Sequence, residues 1–262
     1  MLTTDQEQAI QQLVNTVGIF QLKEQSKVKT IQVAEKSLNQ LVSYVDTESE
    51  KMLVAGLQKI TPSAGYLTEE ETTTIKNDQL YWIIDPIDGT TNYLFDHTKF
   101  SISLALYKEG SPIYACVHIP ADAETFKANP IGAFLNDKLF SCSERIELKD
   151  TLIATGFPYY NFSEMNEYLS VLQELMKRTK GVRRMGSAAI DLAYTAYGRF
   201  DAFYELNLSP WDVAGGAYIV QQAGGNVSDF SNGNNFVFGN TILAGNPSIH
   251  SQLLELIAKE NF

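Results

Sequence analysis

The segment YWIIDPIDGTTNY, residues 81–93, sets Asp85 and Asp88 three positions apart at the end of an apolar run, directly before Gly-Thr-Thr. Two carboxylates this close repel one another, so the pair calls for a turn in water or for a positive partner. Three further acidic sites stand out: Asp46 in YVDTESE, the pair Glu69 and Glu70 in YLTEEE, and Asp212 in SPWDVAGG. Each has an ordinary reading. Asp85 and Asp88 can form a turn, Asp212 can cap a helix, and Glu69–Glu71 can be a solvated charge run. Taken together they supply hard carboxylate oxygens in a chain with few cationic side chains. Oxygen-only ligand sets favour Mg²⁺ or a similar hard cation, which keeps waters and shares substrate phosphate oxygens. Gly89 allows a backbone conformation that a side chain would block, and the amides of Gly89 and Thr90 could point at an anion.

Other chemistries fit the letters less well. A haloacid-dehalogenase-type phosphatase needs Asp-x-Asp-Gly-Thr, and Pro86 stands where its nucleophilic aspartate would be. The chain has no phosphate loop of the Gly-x-x-x-x-Gly-Lys-Ser/Thr type, no complete Gly-x-Gly-x-x-Gly and no Gly-x-Ser-x-Gly elbow. His97, His118 and His250 are scattered and read as surface or strand residues. Cys116 and Cys142 are too few for a disulfide framework or a zinc site and read as reduced, partly buried thiols, the cytoplasmic pattern.

The elements that must position these residues follow from periodicity. Apolar positions at Ala9, Ile10, Leu13, Val14 and Val17 predict a helix over 4–25, and a second helical pattern covers 47–60. Residues 80–84 read as a strand ending just before Asp85, with Pro86 holding the following backbone extended. FSISLALY (100–107) and PIYACVHIP (112–120) read as two more strands around the turn KEGS, and short strands are predicted at 125–127, 132–135 and 152–155. Helices are predicted over 163–178, 187–197 and 212–222, the last closed by Gly224-Gly225. Without a regular βαβ period, this order predicts a layered α+β fold. The 262 residues read as a single domain, with subdomains 1–150 and 151–262 as an option.

Composition narrows the function. An apolar fraction of 44% suits a globular core, and neither a signal peptide nor a membrane span is apparent, so a soluble cytoplasmic protein is expected. With 31 acidic against 20 basic residues the net charge is −11, which repels nucleic acid. An anionic ligand must then be held by backbone amides, helix N-termini or bound cations.

WIIDPIDGTTNY together with WDVAGGAYIVQQAGG (211–225) resembles the two signature motifs of the inositol monophosphatase family, within the lithium-sensitive, Mg²⁺-dependent phosphatase superfamily. The similarity extends through VDTESEKML, ATGFPYY, RRMGSAAIDLAY and DAFYEL. The resemblance implies a layered αβαβα sandwich of the inositol monophosphatase/fructose-bisphosphatase type. It implies Glu69, Asp85, Asp88, Asp212 and the Ile87 carbonyl as metal ligands, with Glu70 as a neighbouring acid and two or three Mg²⁺ per subunit. It implies phosphate contacts from Gly89 and Thr90, with Asp46 beside the Thr90 hydroxyl and Lys36 approaching the phosphate. Gly186, Ser187, Ala188 and Glu205 would lie beside the substrate's hydroxyls, and Asp212 would share in substrate binding. Hydrolysis by metal-activated water, with Glu69 and Thr90 (through Asp46) taking the proton, a homodimer and inhibition by Li⁺ complete the expectation.

The chain departs from the family pattern in three places: Leu94 is followed by Phe95 where a polar residue is usual, NPIGAF replaces Gly-x-Gly-Ala-Phe, and Tyr218 is bulkier than the usual aliphatic residue. These touch the choice of leaving group rather than the ligands. The expected reaction is Mg²⁺-dependent hydrolysis of myo-inositol monophosphate or a similar small polyol or sugar phosphate. Bisphosphate nucleotidase, fructose-bisphosphatase, NADP phosphatase and histidinol phosphatase activities are the enzymatic alternatives, and a partner-binding scaffold is the non-enzymatic one.

Overall fold

The computed structural model describes residues 1–28, 34–37, 40–42, 44–158 and 161–260. In chain order the elements are α1 (Thr4–Val28), β1 (Ala34–Ser37), β2 (Gln40–Val42), α2 (Tyr44–Ile60), β3 (Gly65–Thr68), β4 (Leu80–Asp88), α3 (Thr90–Leu94), β5 (Ser101–Lys108), β6 (Ser111–Ile119), β7 (Glu124–Asn129), β8 (Gly132–Leu135) and β9 (Lys138–Phe140). There follow β10 (Leu152–Thr155), α4 (Met165–Arg178), β11 (Gly181–Arg183), α5 (Ala188–Tyr197), β12 (Ala202–Leu206), α6 (Pro210–Gln222), β13 (Asn226–Ser228), β14 (Thr241–Gly245) and α7 (Pro247–Ala258).

Two main sheets alternate with three helical layers. The larger sheet runs β3-β4-β5-β6-β7-β8-β9, and the smaller runs β11-β10-β12-β14-β13. In the larger sheet only the β3–β4 pair is parallel. Strand alternation sends Trp82, Ile84, Ile102, Leu104 and Leu106 to one face, where they bury against Ile10 and Val14 of α1 and Leu53 and Leu57 of α2. On the opposite face Ile83, Ala105 and Tyr107 meet Ala214 of α6. The paired helices α5 and α6 fill the space between the sheets, packing on Val117 and Phe126 of one and Phe203 and Ala244 of the other. Tyr168 and Leu175 of α4 and Leu253 and Ile257 of α7 cover the outer face of the smaller sheet. The order is therefore α1/α2, sheet, α5/α6, sheet, α4/α7, the expected αβαβα sandwich.

Several boundaries differ from the sequence reading. Helix α2 begins at Tyr44 rather than at residue 47, so Asp46 lies inside its first turn and is fully buried. Strand β4 does not stop at Ile84: pairing with β5 continues through Asp85↔Ser103 and Asp88↔Ser101, with a bulge between them. Proline has no N–H to give a ladder, and Pro86 falls in that bulge. Helix α6 starts two residues earlier than predicted, on Pro210. Its predicted end holds: Gly224 takes a left-handed φ of 85° and the Gly225 N–H bonds back to Val220 O. The sequence reading omits α3, α7, β3, β9, β11–β14 and the antiparallel pair β1–β2. Most are strands of three to five residues, too short to show a period. Helix α7 has a clear signal, with Asn246 accepting the Ile249 N–H at its start and Pro247 following.

Among the described residues no helix is long and apolar enough to cross a membrane. Cys116 is buried, Cys142 is half-buried, and both are free thiols. His97 is exposed. His118 is buried on β6, and His250 is buried on α7 rather than lying on a surface or a strand.

Candidate active site

The end of β4 meets the starts of α3, α5 and α6 at one point. The bulged end of β4 delivers Asp85 and Asp88, and the first turn of α6 delivers Asp212. One carboxylate oxygen from each of the three lies within 4.8 Å of the others. Asp85 and Asp88 are buried, and Asp212 is half-buried. Asp85 bends back to accept the Ile87 N–H at 2.9 Å, and Asp212 accepts the Ser209 N–H at 2.7 Å across the first turn of its helix.

Asp88 is tied to α5. It accepts the Ser187 hydroxyl at 2.5 Å and the Ala189 N–H at 2.7 Å, with the Ala188 N–H also directed at it. A carboxylate across three donors at a helix start satisfies orphan amides and meets the positive end of the dipole. Ser187 itself caps α5 by accepting the Ile190 N–H. The loop before it rests on Gly89, the left-handed residue before α3, where an added Cβ would stand 3.0 Å from Gly186 O. The carbonyl of Met185 accepts from Asn92, and its N–H is directed at the buried Asp191. Thr90 lies between two acceptors, Ile87 O at 2.9 Å and Asp46 Oδ1 at 3.2 Å.

Glu69 follows β3, with its N–H on Ile84 O, and its charge bears on Asp85. Glu70 is half-buried next to it, its N–H on Glu50. On the far side of the site Glu205, at the end of β12, is buried against Gly156. A Cβ on Gly156 would fall 1.9 Å from Glu205 Oε1. Lys36 belongs to β1, and its side chain lies outside the described residues.

The electrostatics are those of crowded carboxyls. Burial, then the charges of Glu69, Asp88 and Asp212, hold Asp85 well above the usual carboxylate range. Burial also pushes Asp88 up to about 6 against the pull of its three donors. Asp212 rises to about 7 through burial and the Asp88 charge. Burial raises Glu205 and Asp191 as well, opposed in both by Arg184. Glu69 and Asp212 both crowd Asp85, and each disfavours another negative charge beside it. Such a set must hold protons or cations at neutral pH, and its all-oxygen donors suit a hard divalent ion.

The sequence matches the inositol monophosphatase family over residues 4–261. The chain belongs to that family. It is 40% identical to a putative Nus factor SuhB of Neisseria meningitidis over 92% of this chain and 93% of that one. It is 38% identical to an inositol-1-monophosphatase of Mesorhizobium japonicum over 89% and 88%. The fold superposes on the crystal structure of the extragenic suppressor protein suhB from Bartonella henselae with a TM-score of 0.92, at 37% identity over 97% and 98% of the two chains. Inositol monophosphatase family members are phosphatases that generally use Mg²⁺, and the cluster of Asp85, Asp88 and Asp212 is compatible with that ion.

Several residues around this family site escape sequence reasoning. Gln21 of α1 donates to Pro86 O at 2.8 Å, Asn92 joins α3 to the 185–187 loop, and Glu50 of α2 grips the segment after Glu69. Only the helical spacing of Asp46 and Glu50, four residues apart, offers a signal for the last.

Proposed function

We propose that this chain is a Mg²⁺-dependent phosphomonoesterase acting on myo-inositol monophosphate or a similar small polyol or sugar phosphate. The observation that carries the reading is the approach of Asp85, Asp88 and Asp212 within 4.8 Å, with the Glu69 charge bearing on Asp85, in a site that needs positive charge. In this proposal Glu69, Asp85, Asp88, Asp212 and the Ile87 carbonyl hold the metal, two or three ions per subunit. Bound there, Mg²⁺ would supply a Lewis acid for water activation and for charge on the phosphate.

The chain's own groups do the rest. Asp46, 3.2 Å from Thr90 Oγ1, accepts the hydroxyl proton, which leaves the Thr90 oxygen free to orient and deprotonate water together with Glu69. The amides of Gly89 and Thr90 grip phosphate oxygens. Glu205, buried and held against Gly156, accepts hydrogen bonds from the leaving group's hydroxyls beside Gly186, Ser187 and Ala188. Lys36 and Glu70 are assigned supporting places near the phosphate and the metal. The name of the rhizobial relative supports inositol monophosphate as substrate. A single folded domain, a cytoplasmic homodimer and sensitivity to Li⁺ belong to the same proposal.

The test is phosphate release across inositol phosphates, sugar phosphates, NADP and adenosine bisphosphate, with and without Mg²⁺. Activity that is highest on inositol monophosphate and absent without metal is expected, and Asp85→Asn should stay folded while losing roughly a hundredfold or more of the rate. Wild-type rates in Asp85→Asn at saturating Mg²⁺ would sink the metal assignment. A second reading, a partner-binding role, draws on the SuhB names of other relatives. Silence across the whole panel with Mg²⁺ present would favour it.

A further inference from the structure

Glu50 has no part in the ligand set, yet it is an acidic side chain with 0% exposure in the middle of α2. Withdrawing a carboxylate from water is costly unless hydrogen bonds offset it. Among the described residues all its donors come from one segment. Oε2 accepts the Glu70 N–H at 2.8 Å, and Oε1 accepts the Thr72 N–H at 2.8 Å and the Thr72 hydroxyl at 2.7 Å.

Regular structure stops just before that segment. The parallel ladder between β3 and β4 ends at Thr68↔Ile84, the Glu69 N–H makes one more bond to Ile84 O, and Glu71 then adopts a left-handed φ of 52°. No helix or strand follows until Leu80. Glu69 is thus bracketed, its own N–H held by β4 and the next N–H held by Glu50. Asp46 stands one turn before Glu50 on the same side of α2 and reaches Thr90. One helix therefore holds the backbone that directly follows Glu69 and also reaches the Thr90 hydroxyl.

We propose that Glu50 is a positioning residue, which sets Glu69 for metal binding by holding the backbone of residues 70–72. The inference rests on the metal-site reading given above. Groups that orient ligands from behind typically change metal affinity by about 10- to 100-fold when removed.

The experiment is calorimetric titration of Mg²⁺ into the purified full chain, compared across wild type, Glu50→Gln, Thr72→Val, Leu57→Ala and Asp85→Asn, with melting temperatures recorded for each. Glu50→Gln keeps the side-chain shape but converts one acceptor oxygen to a donor facing an N–H. It is expected to weaken Mg²⁺ binding by about 10- to 100-fold, with substrate KM unchanged once metal saturates. Thr72→Val, which loses one bond to Glu50, should weaken binding less, in the same direction. Leu57→Ala opens the core beneath the same helix and should lower the melting temperature without moving metal affinity. A folded Glu50→Gln that binds Mg²⁺ like wild type, while Asp85→Asn loses it, overturns the proposal alone. So does Leu57→Ala weakening the metal as much as Glu50→Gln. If Glu50→Gln does not fold, unchanged affinity in Thr72→Val overturns it. A wild type with no saturable Mg²⁺ binding, or Asp85→Asn binding unchanged, removes the metal-site reading and this inference together.

Discussion

Gly156 and Glu205 show how little room a single atom has at this site. With an added Cβ only 1.9 Å from Glu205 Oε1, no rotation of the methyl group itself relieves the overlap, so Gly156→Ala must push the Glu205 carboxyl aside. If Glu205 accepts hydrogen bonds from the leaving group, that variant should raise substrate KM by about tenfold, the equivalent of one good hydrogen bond. Mg²⁺ affinity should stay near wild type, because the three clustered aspartates come from other elements. Steady-state kinetics at saturating metal measure the first, and Mg²⁺ titration measures the second. An unchanged KM would remove Glu205 from substrate binding. At this scale the acidic side chains are legible in the sequence, since carboxylates before Gly-Thr-Thr and in Trp-Asp-Val are unusual where charge is costly. Glu50 and Asn92 are far less so. Most of their partners are backbone groups of loops, and backbone groups leave no letter to read.

Helix α1 leans on the larger sheet through a buried histidine. A Cβ on Gly18 would stand 2.9 Å from His118 Nε2, while His118 Nδ1 pairs with the Thr125 hydroxyl at 2.9 Å. Burial pushes His118 down to about 4 from an ordinary value of 6.5. The unfolded chain therefore binds more protons between those values, so the neutral-histidine contribution is present above about pH 6.5 and is lost as pH falls towards 4. The loss is roughly 3 kcal/mol at most. Melting curves of wild type and His118→Gln should diverge most at neutral pH and converge on acidification. Parallel curves would show that His118 does not titrate on unfolding. Among the elements, the long amphipathic helix and the meander of β5 and β6 are legible because their apolar periods run for several turns or pleats. The strands β12 and β14 are central yet only five residues each, and a buried strand without alternation resembles any short apolar run.

For the molecule as a whole, the site carboxyls act on stability with the opposite sign to His118. Asp88 and Asp212 sit near 6 and 7 when folded against 3.8 in an open chain. The metal-free fold therefore binds more protons than the unfolded chain, and this contribution fades as pH rises from about 4 to about 7. A divalent cation bound among these carboxyls would take the place of those protons. Mg²⁺ should accordingly raise the melting temperature more at pH 8 than at pH 5, and a larger rise at pH 5 would contradict the linkage. The net charge of −11 works in the same direction, drawing cations towards a site that repels bare anions. From periodicity alone layer order was readable only as a class, α+β, and the αβαβα order came with the family resemblance, because strand pairing across the smaller sheet joins segments as distant as Ile153 and Ala202.

The bulge in β4 settles a matter of parity. Along an unbroken strand, side chains an odd number of residues apart point to opposite faces, so Asp85 and Asp88 would be separated by the thickness of the sheet. Their partners on β5, Ser103 and Ser101, are an even number apart. The extra residue at Pro86-Ile87 converts odd spacing into even, and both carboxylates emerge towards α5 and α6. Shortening this bulge by one residue would leave the composition of the site almost intact and turn one of its two aspartates to the wrong side of the sheet.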